Sequence, residues 1–236
     1  MNYVIPAYRI FPIGDTALVI DYGNLVDEPI NKEVMARFAQ LKNANLPGVV
    51  EVVPAYSSLA VYYHPPEVLK KQVIVTTAYN RMKNQVEQLL AQPVINNGAT
   101  ERLLTIPVCY AYEFAPDIKE LSAINNISVE EIIQRHTATT YRVYMLGFLP
   151  GFSYMGQVDE KISIARKPQP VNVVAGSVGI AGRQTGIYPL ASPGGWQIIG
   201  RTPLKLFDAK KEEPAFFKAG DQVQFISISK NEFANY

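Results

Sequence analysis

Apolar positions in the first part of the chain change period from segment to segment. Residues 17–22 (ALVIDY) form a short β-rich run behind the turn residues Gly14 and Asp15, which predicts a strand. Ile30, Val34, Phe38 and Leu41 then recur at helical spacing, with Pro29 tolerated in a first turn and Gly48 beyond the end. The runs VVEVVPAY and SLAVYYH read as two further strands, and a second helical pattern extends from about Glu67 to Leu90 through Val68, Met82, Val86 and Leu89. A β-α-β-β-α order of this kind predicts a small split β-α-β, ferredoxin-like sandwich.

The stretch 91–100 (AQPVINNGAT) combines Pro, Gly and two Asn and reads as a linker, dividing the chain into residues 1–95 and 96–236. Beyond it, RLLTIPVCY predicts a strand. Ser128 and Glu131 have capping-box spacing at the start of a helix whose apolar side carries Val129, Ile132, Ile133 and His136. After His136 the period becomes that of short β runs punctuated by Gly and Pro: YRVYMLGF, VNVVAGSVGIAG, GIYPL, WQIIG, LKLFD and DQVQFISIS. Many short strands without intervening helices predict a barrel or sandwich, so the whole chain reads as α+β.

Composition narrows the class of partner. A formal net charge of +1 over 236 residues gives no global field for nucleic acid or an anionic membrane, and neither is expected as a partner. The single cysteine, Cys109, excludes an internal disulfide and a cysteine-rich zinc site, and in a strand it reads as a small buried residue. His64 and His136 stand in no metal-binding spacing, so no metal site is expected. No signal peptide and no run of about 20 apolar residues is visible, which points to a cytoplasmic protein. Neither GxxxxGK[ST] nor GxGxxG after a strand occurs.

Ten of the fifteen glycines fall between Gly147 and Gly200, and candidate chemistry gathers there. Phe148, Phe152 and Tyr154 lie on a loop shaped by Gly147, Pro150, Gly151 and Gly156; they wall a pocket or form a packed corner. Arg166, Lys167, Arg183 and Arg201 offer cations for a carboxylate or phosphate, and arginine suits bidentate contact. Glycines flank Arg183 and Arg201. The Pro193-Gly194-Gly195 run is a tight turn or a nest of backbone donors. Ser177 in AGSVG lacks the GxSxG pattern of a nucleophile elbow and reads as structural. His136, at a helix end ahead of this block, is favoured there by the helix dipole or serves the site.

The ordered motifs IPVCY…PDI, His136, YRVYM, GFLPGFSYMG, AGSVGIAG, QTGIYPL and SPGGWQIIGRTPLKLFD closely resemble the KipI / PxpB family. That family is also called allophanate hydrolase subunit 1, or the carboxyltransferase C/D-type domain. GDTALVIDYG and GVVEVVPAYSSLAVYYHP extend the resemblance over nearly the whole chain. It implies a small N-terminal α/β domain followed by a C-terminal cyclophilin-like β-barrel. It also implies one subunit of an ATP-dependent 5-oxoprolinase, which opens the lactam of 5-oxo-L-proline to L-glutamate and is active only with its partners. Those partners would be a homologous carboxyltransferase-type subunit (PxpC, or subunit 2-like) and a third subunit. ATP with Mg would act at the level of the complex, with none demonstrable in this chain alone.

Two other readings follow from the same resemblance. Some relatives inhibit a sensor histidine kinase, and others belong to allophanate hydrolase or carboxyltransferase systems acting on a urea-derived amide. The barrel fold by itself does not confer prolyl isomerase activity. In the oxoprolinase reading, His136 is the candidate acid–base or hydrogen-bonding group. Arg183, Gln184 and Arg201 are polar substrate contacts, with Gly194 and Gly195 offering backbone donors. Phe148, Phe152, Tyr154, Tyr188 and Trp196 are walls. One stretch departs from the family: relatives commonly carry a Pro-Arg pair before Val-Pro-Ala-Gly-Ser-Val, where this chain reads RKPQPVNVVAGSV. The cation expected there is absent unless Arg166 or Lys167 replaces it.

Overall fold

The structure is a computed structural model and describes residues 7–70, 76–94 and 102–236. The described residues fall into two compact units, one up to Val94 and one from Arg102 onward. The expected boundary between 95 and 96 lies outside the described residues.

The first unit opens with a hairpin of β1 (Arg9–Ile13) and β2 (Ala17–Asp21), followed by α1 (Glu28–Ala44), β3 (Val49–Pro54) and β4 (Ser58–Tyr63). Asp27 caps α1, its Oδ1 accepting from the Ile30 N–H at 3.0 Å, and Asn45 ends the helix in the left-handed region. The sheet order is β1-β2-β4-β3, antiparallel throughout, so β4 lies between β2 and β3 and α1 makes the split crossover. The strand β1, which carries little apolar periodicity, occupies the free edge beside β2. The predicted helix from Glu67 to Leu90 divides into α2 (Pro65–Leu69) and α3 (Ala78–Leu90). Lys70 takes an extended ψ of 135° that ends α2, and the Thr77 hydroxyl starts α3 by accepting from the Asn80 N–H at 3.1 Å. Leu18, Ile20, Leu59 and Val61 from the sheet pack with Ile30 and Val34 of α1 and Met82 and Val86 of α3.

In the second unit, β5 (Leu103–Val108) leads to α4 (Ile118–Asn125), α5 (Val129–Ala138), β6 (Thr140–Leu146) and β7 (Ser153–Gly156). Then come β8 (Val171–Val173), β9 (Ser177–Ala181), β10 (Gln184–Ile187), β11 (Ser192–Gly194), β12 (Gln197–Arg201), β13 (Gln222–Ser227) and α6 (Lys230–Ala234). Seven strands make one curled sheet in the order β12-β9-β10-β7-β6-β13-β5, with only β13 and β5 parallel. Its two edge strands meet at one end. The Cys109 N–H donates to the Arg201 carbonyl at 2.9 Å and the Arg201 N–H returns a bond to Cys109 at 3.0 Å. The β8 and β11 strands form a separate two-stranded ribbon.

The concave face holds Val108, Val143, Ile180, Ile187, Ile199 and Phe225, covered by Ile118 and Leu121 of α4 and Ile132 of α5. Ser128 caps α5 as its spacing predicts, accepting from the Glu131 N–H at 3.1 Å. The Glu131 carboxylate, however, pairs with Arg135 at 2.6 Å. Among the described residues, no helix is long and apolar enough to cross a membrane.

Candidate functional site

The glycine-rich strands have two buried faces. One faces the main core; the other carries an aromatic cluster, and the glycines make its floor. A Cβ on Gly179 would lie 3.0 Å from Trp196 Cβ, and one on Gly186 would lie 3.2 Å from both Phe152 Cζ and Trp196 Cζ3. With no side chain at either position, the rings lie directly on the sheet. Phe152 is the centre, with ring centroids 4.8 Å from Tyr154, 5.1 Å from Tyr188 and 5.4 Å from Trp196, all edge-to-face. Phe148 completes the group at 5.6 Å from Phe152, with φ at +66° and the residue 61% exposed. A bulky residue held in that backbone region is strained, and such strain gathers at functional surfaces. The five predicted wall residues are thus brought together. Phe152, Tyr188 and Trp196 are buried, while Phe148 presents an open face.

Beside this cluster the Arg166–Lys167 stretch is pinned to the turn before β12. The Lys167 N–H donates to the Gly195 carbonyl at 2.7 Å, and Lys167 Nζ pairs with Asp117. Asp117 Oδ2 also accepts from the Ile198 N–H at 2.6 Å. Arg166 is exposed, its Nη2 lying 3.4 Å from where a Gly195 Cβ would be, and its charge favours the ionised forms of Tyr154 and Tyr188. Burial outweighs that charge and raises both phenols above the ordinary value. A cation does therefore stand beside this loop, although the family's Pro-Arg pair is missing. Gly194 is the last residue of β11, paired with Val171, and packs on the Tyr188 hydroxyl. Gly195 follows it with its carbonyl already used.

Beside β8 lies a cleft of about 180 Å³. Arg201, Ser177, Asn172 and Glu113 supply its polar lining, and Val173, Ile198 and Phe114 apolar walls. Val173 and Ile198 also belong to the aromatic cluster, so the two features share a wall. Arg201 is oriented by its Nε–H, which donates to the Ala175 carbonyl at 2.9 Å, and its guanidinium sits 6.0 Å above the Phe233 ring. Phe233, on α6, stacks on Phe114 at 4.4 Å. The terminal nitrogens of Arg201 have no hydrogen-bond or ion-pair partner among the described residues. The Ser177 hydroxyl likewise has none, although the residue is only 2% exposed.

Arg183 and Gln184 are not part of this cleft. Gln184 pairs with Ala181 at one end of β9, whereas Arg201 pairs with Ser177 at the other, roughly 13 Å away at the rise of a strand. Arg183 is exposed beside the turn and pairs with Glu160 at 3.0 Å. His136 is fully buried in the main core. Its ring stacks on Phe225 at 4.5 Å; Nδ1 is 2.8 Å from the Tyr110 hydroxyl and Nε2 is 3.0 Å from Thr185 Oγ1. The Thr185 hydroxyl donates to the Gly179 carbonyl at 3.1 Å, so it accepts from Nε2–H, and Nδ1 accepts from Tyr110. Burial lowers the imidazole pKa to about 3. His136 is neutral, hydrogen-bonded at both ring nitrogens, and part of neither the aromatic cluster nor the cleft.

Ser177, read as structural in sequence, and Asn172, not singled out there, line the cleft. The available signal is AGSVG itself: Ala175 holds Arg201, Gly176 turns the chain and Ser177 faces the opening. A larger depression of about 500 Å³ lies over α5, where Glu130, Glu131 and Asp159 outnumber Arg135. No cluster of metal-binding side chains occurs among the described residues.

The family model described as carboxyltransferase domain, subdomain C and D, matches residues 8–217. The 5-oxoprolinase subunit designated B in Bacillus subtilis (strain 168) is 42% identical over 231 residues, covering 97% of this chain and 96% of that protein. The like-named protein of Escherichia coli O157:H7 is 36% identical over 219 residues, with 92% and 95% covered. Among solved structures, TTHA0988 superposes with a TM-score of 0.77 at 32% identity, covering 90% of this chain. This chain corresponds to 40% of that longer one.

Proposed function

The chain belongs to the carboxyltransferase C and D family, and from that membership we propose that it is one subunit of an ATP-dependent 5-oxoprolinase. The observation that carries this reading is the match, over more than nine-tenths of both chains, to two proteins named as the same 5-oxoprolinase subunit. The reaction breaks the lactam C–N bond of 5-oxo-L-proline and adds water to give L-glutamate. A five-membered lactam is a poor electrophile, and ATP supplies the activation by making a leaving group of the carbonyl oxygen.

The chain's own contribution is binding and exclusion of water. Arg201 offers its free guanidinium edge to an anionic substrate, and the aromatic cluster keeps one side of the site dry. His136, enclosed and neutral, is assigned to the scaffold and not to proton transfer. Neither of the two depressions described above suits ATP with Mg. The cleft of about 180 Å³ is below the ~300–1,000 Å³ usual for drug-sized ligands. The larger depression presents carboxylates where a triphosphate needs cations. In this reading the nucleotide acts at the level of the complex, made with a second carboxyltransferase-type subunit and a third subunit.

In the same reading, the first unit, with its split crossover, is ferredoxin-like, and the second, with its joined edge strands, is a cyclophilin-like barrel. Their boundary falls near residues 95 and 96. A cytoplasmic site of action agrees with the lone buried thiol of Cys109. The test is complementation in Bacillus subtilis lacking its own copy of this subunit. Expression of this chain should lower the accumulated 5-oxoproline, and unchanged levels with the folded protein present would oppose the reading.

A further inference from the structure

We infer that the cleft between β8, the 113–116 segment and the strands β9 and β12 is the subsite for the carboxylate and ring of a small cyclic amide acid. The identity of that acid rests on the oxoprolinase reading; the existence of a carboxylate subsite does not. Three features of the cleft converge. Arg201 keeps its terminal nitrogens free while Nε is fixed to Ala175, so the guanidinium offers a preoriented bidentate edge. Ser177 makes no side-chain hydrogen bond within the described residues although the residue is only 2% exposed, and its hydroxyl opens on the cleft, where it can bond a ligand in place of water. Val173, Ile198 and Phe114 give apolar walls that match ring methylenes.

Size makes the choice of ligand sharper. A volume of about 180 Å³ equals roughly six waters at ~30 Å³ each, which admits a five-membered ring with a carboxylate. The carboxylate lies against Arg201. The amide edge meets the Asn172 side chain and the Ser177 hydroxyl, each of which can donate or accept. Glu113, the one anionic residue on the wall, is paired with Lys230 and so opposes the carboxylate less. The AGS tripeptide builds the subsite from three consecutive residues: a carbonyl that orients Arg201, a glycine that lets Arg201 and Thr202 approach, and a hydroxyl for the ligand.

The test titrates the full chain with 5-oxo-L-proline, with succinimide (amide without carboxylate) and with cyclopentanecarboxylate (carboxylate without amide), followed by backbone NMR. In parallel, KM for 5-oxoproline is measured in the assembled enzyme. Saturable shifts at Ser177, Ile198 and Arg201 are expected with the two carboxylates and not with succinimide. Arg201→Lys should weaken binding and raise KM at least tenfold. Ser177→Ala, which removes a hydroxyl the fold does not use, should do so about three- to tenfold with an unchanged melting temperature. Turnover by the assembled enzyme with no cleft shifts and an unmoved KM in both variants would overturn the subsite and leave the oxoprolinase reading intact. Carboxylate binding that Arg201→Lys abolishes, in an assembled mixture without turnover, would support the subsite and remove the oxoprolinase reading.

Discussion

Gly176 and Arg201 share space that one methyl group would fill. A Cβ at position 176 would lie 3.4 Å from Arg201 Cγ and 2.5 Å from the Thr202 carbonyl oxygen. The φ of Gly176 is +83°, which a residue with a Cβ adopts only at a cost. Gly176→Ala is therefore expected to lose about 1–2 kcal/mol of stability from the backbone alone, and to displace Arg201 as well. Urea unfolding reads the first effect, and binding of 5-oxoproline at the cleft reads the second.

His136 ties α5 to the sheet through two buried hydroxyls. Substitution by Leu leaves the Tyr110 hydroxyl without its acceptor and Thr185 without its donor, at an expected cost of about 2–5 kcal/mol. A melting temperature equal to that of the unsubstituted chain would contradict the network.

The same residue sets a pH dependence. In the folded chain its pKa is about 3, against an ordinary value of 6.5, so between these values the unfolded chain binds a proton that the folded chain refuses. Stability must rise with pH across that window, by up to about 1.4 kcal/mol per pH unit, and this contribution is complete above pH 6.5. Urea unfolding from pH 4 to pH 7 should show a shallower slope in His136→Gln than in the unsubstituted chain. Equal slopes would mean that His136 titrates alike in both states.

Trp196 is the single tryptophan, so its fluorescence reports on the aromatic cluster directly. In Gly186→Ala the new methyl would sit 2.7 Å from the Ser153 carbonyl and 3.2 Å from the indole. Overpacking of this kind costs about 1–3 kcal/mol. The emission of Trp196 should shift to the red as the ring is lifted off the sheet; an unshifted spectrum would place the ring elsewhere.

Phe148 separates strain from stability. Phe148→Gly relieves roughly 1–2 kcal/mol of left-handed strain and incurs a similar entropic cost, so the melting temperature should stay nearly constant. Turnover in the assembled enzyme should fall, because the exposed ring is what is lost. A normal rate would assign Phe148 to packing.

Much of the architecture was legible because periodicity reports burial. Ile30 and Val34 marked α1, and Ser128 marked the start of α5, since local chemistry fixes both. The strand β1 was not legible: its burial is low and its place is set by pairing with β2, a tertiary effect. The break between α2 and α3 was hidden because apolar residues on both sides keep a common helical phase. In the site, the aromatic residues announced their cluster through the glycines that accommodate them. Arg183 and Arg201 looked alike, each beside glycine, yet strand register sends them to opposite ends of β9. Ser177 read as structural because a hydroxyl left without a partner is a property of surroundings and not of sequence. His136 illustrates the reverse, a chemically capable residue whose helix-terminal position says nothing about its complete enclosure.

The most direct test of the oxoprolinase role is ATP-dependent glutamate release from 5-oxoproline, measured with this chain alone, with its partner subunits alone, and with all together. Turnover is predicted only in the full mixture, with KM raised by Arg201→Lys. Equal turnover by the partner subunits without this chain, or none in a mixture shown to be folded and assembled, would contradict that role.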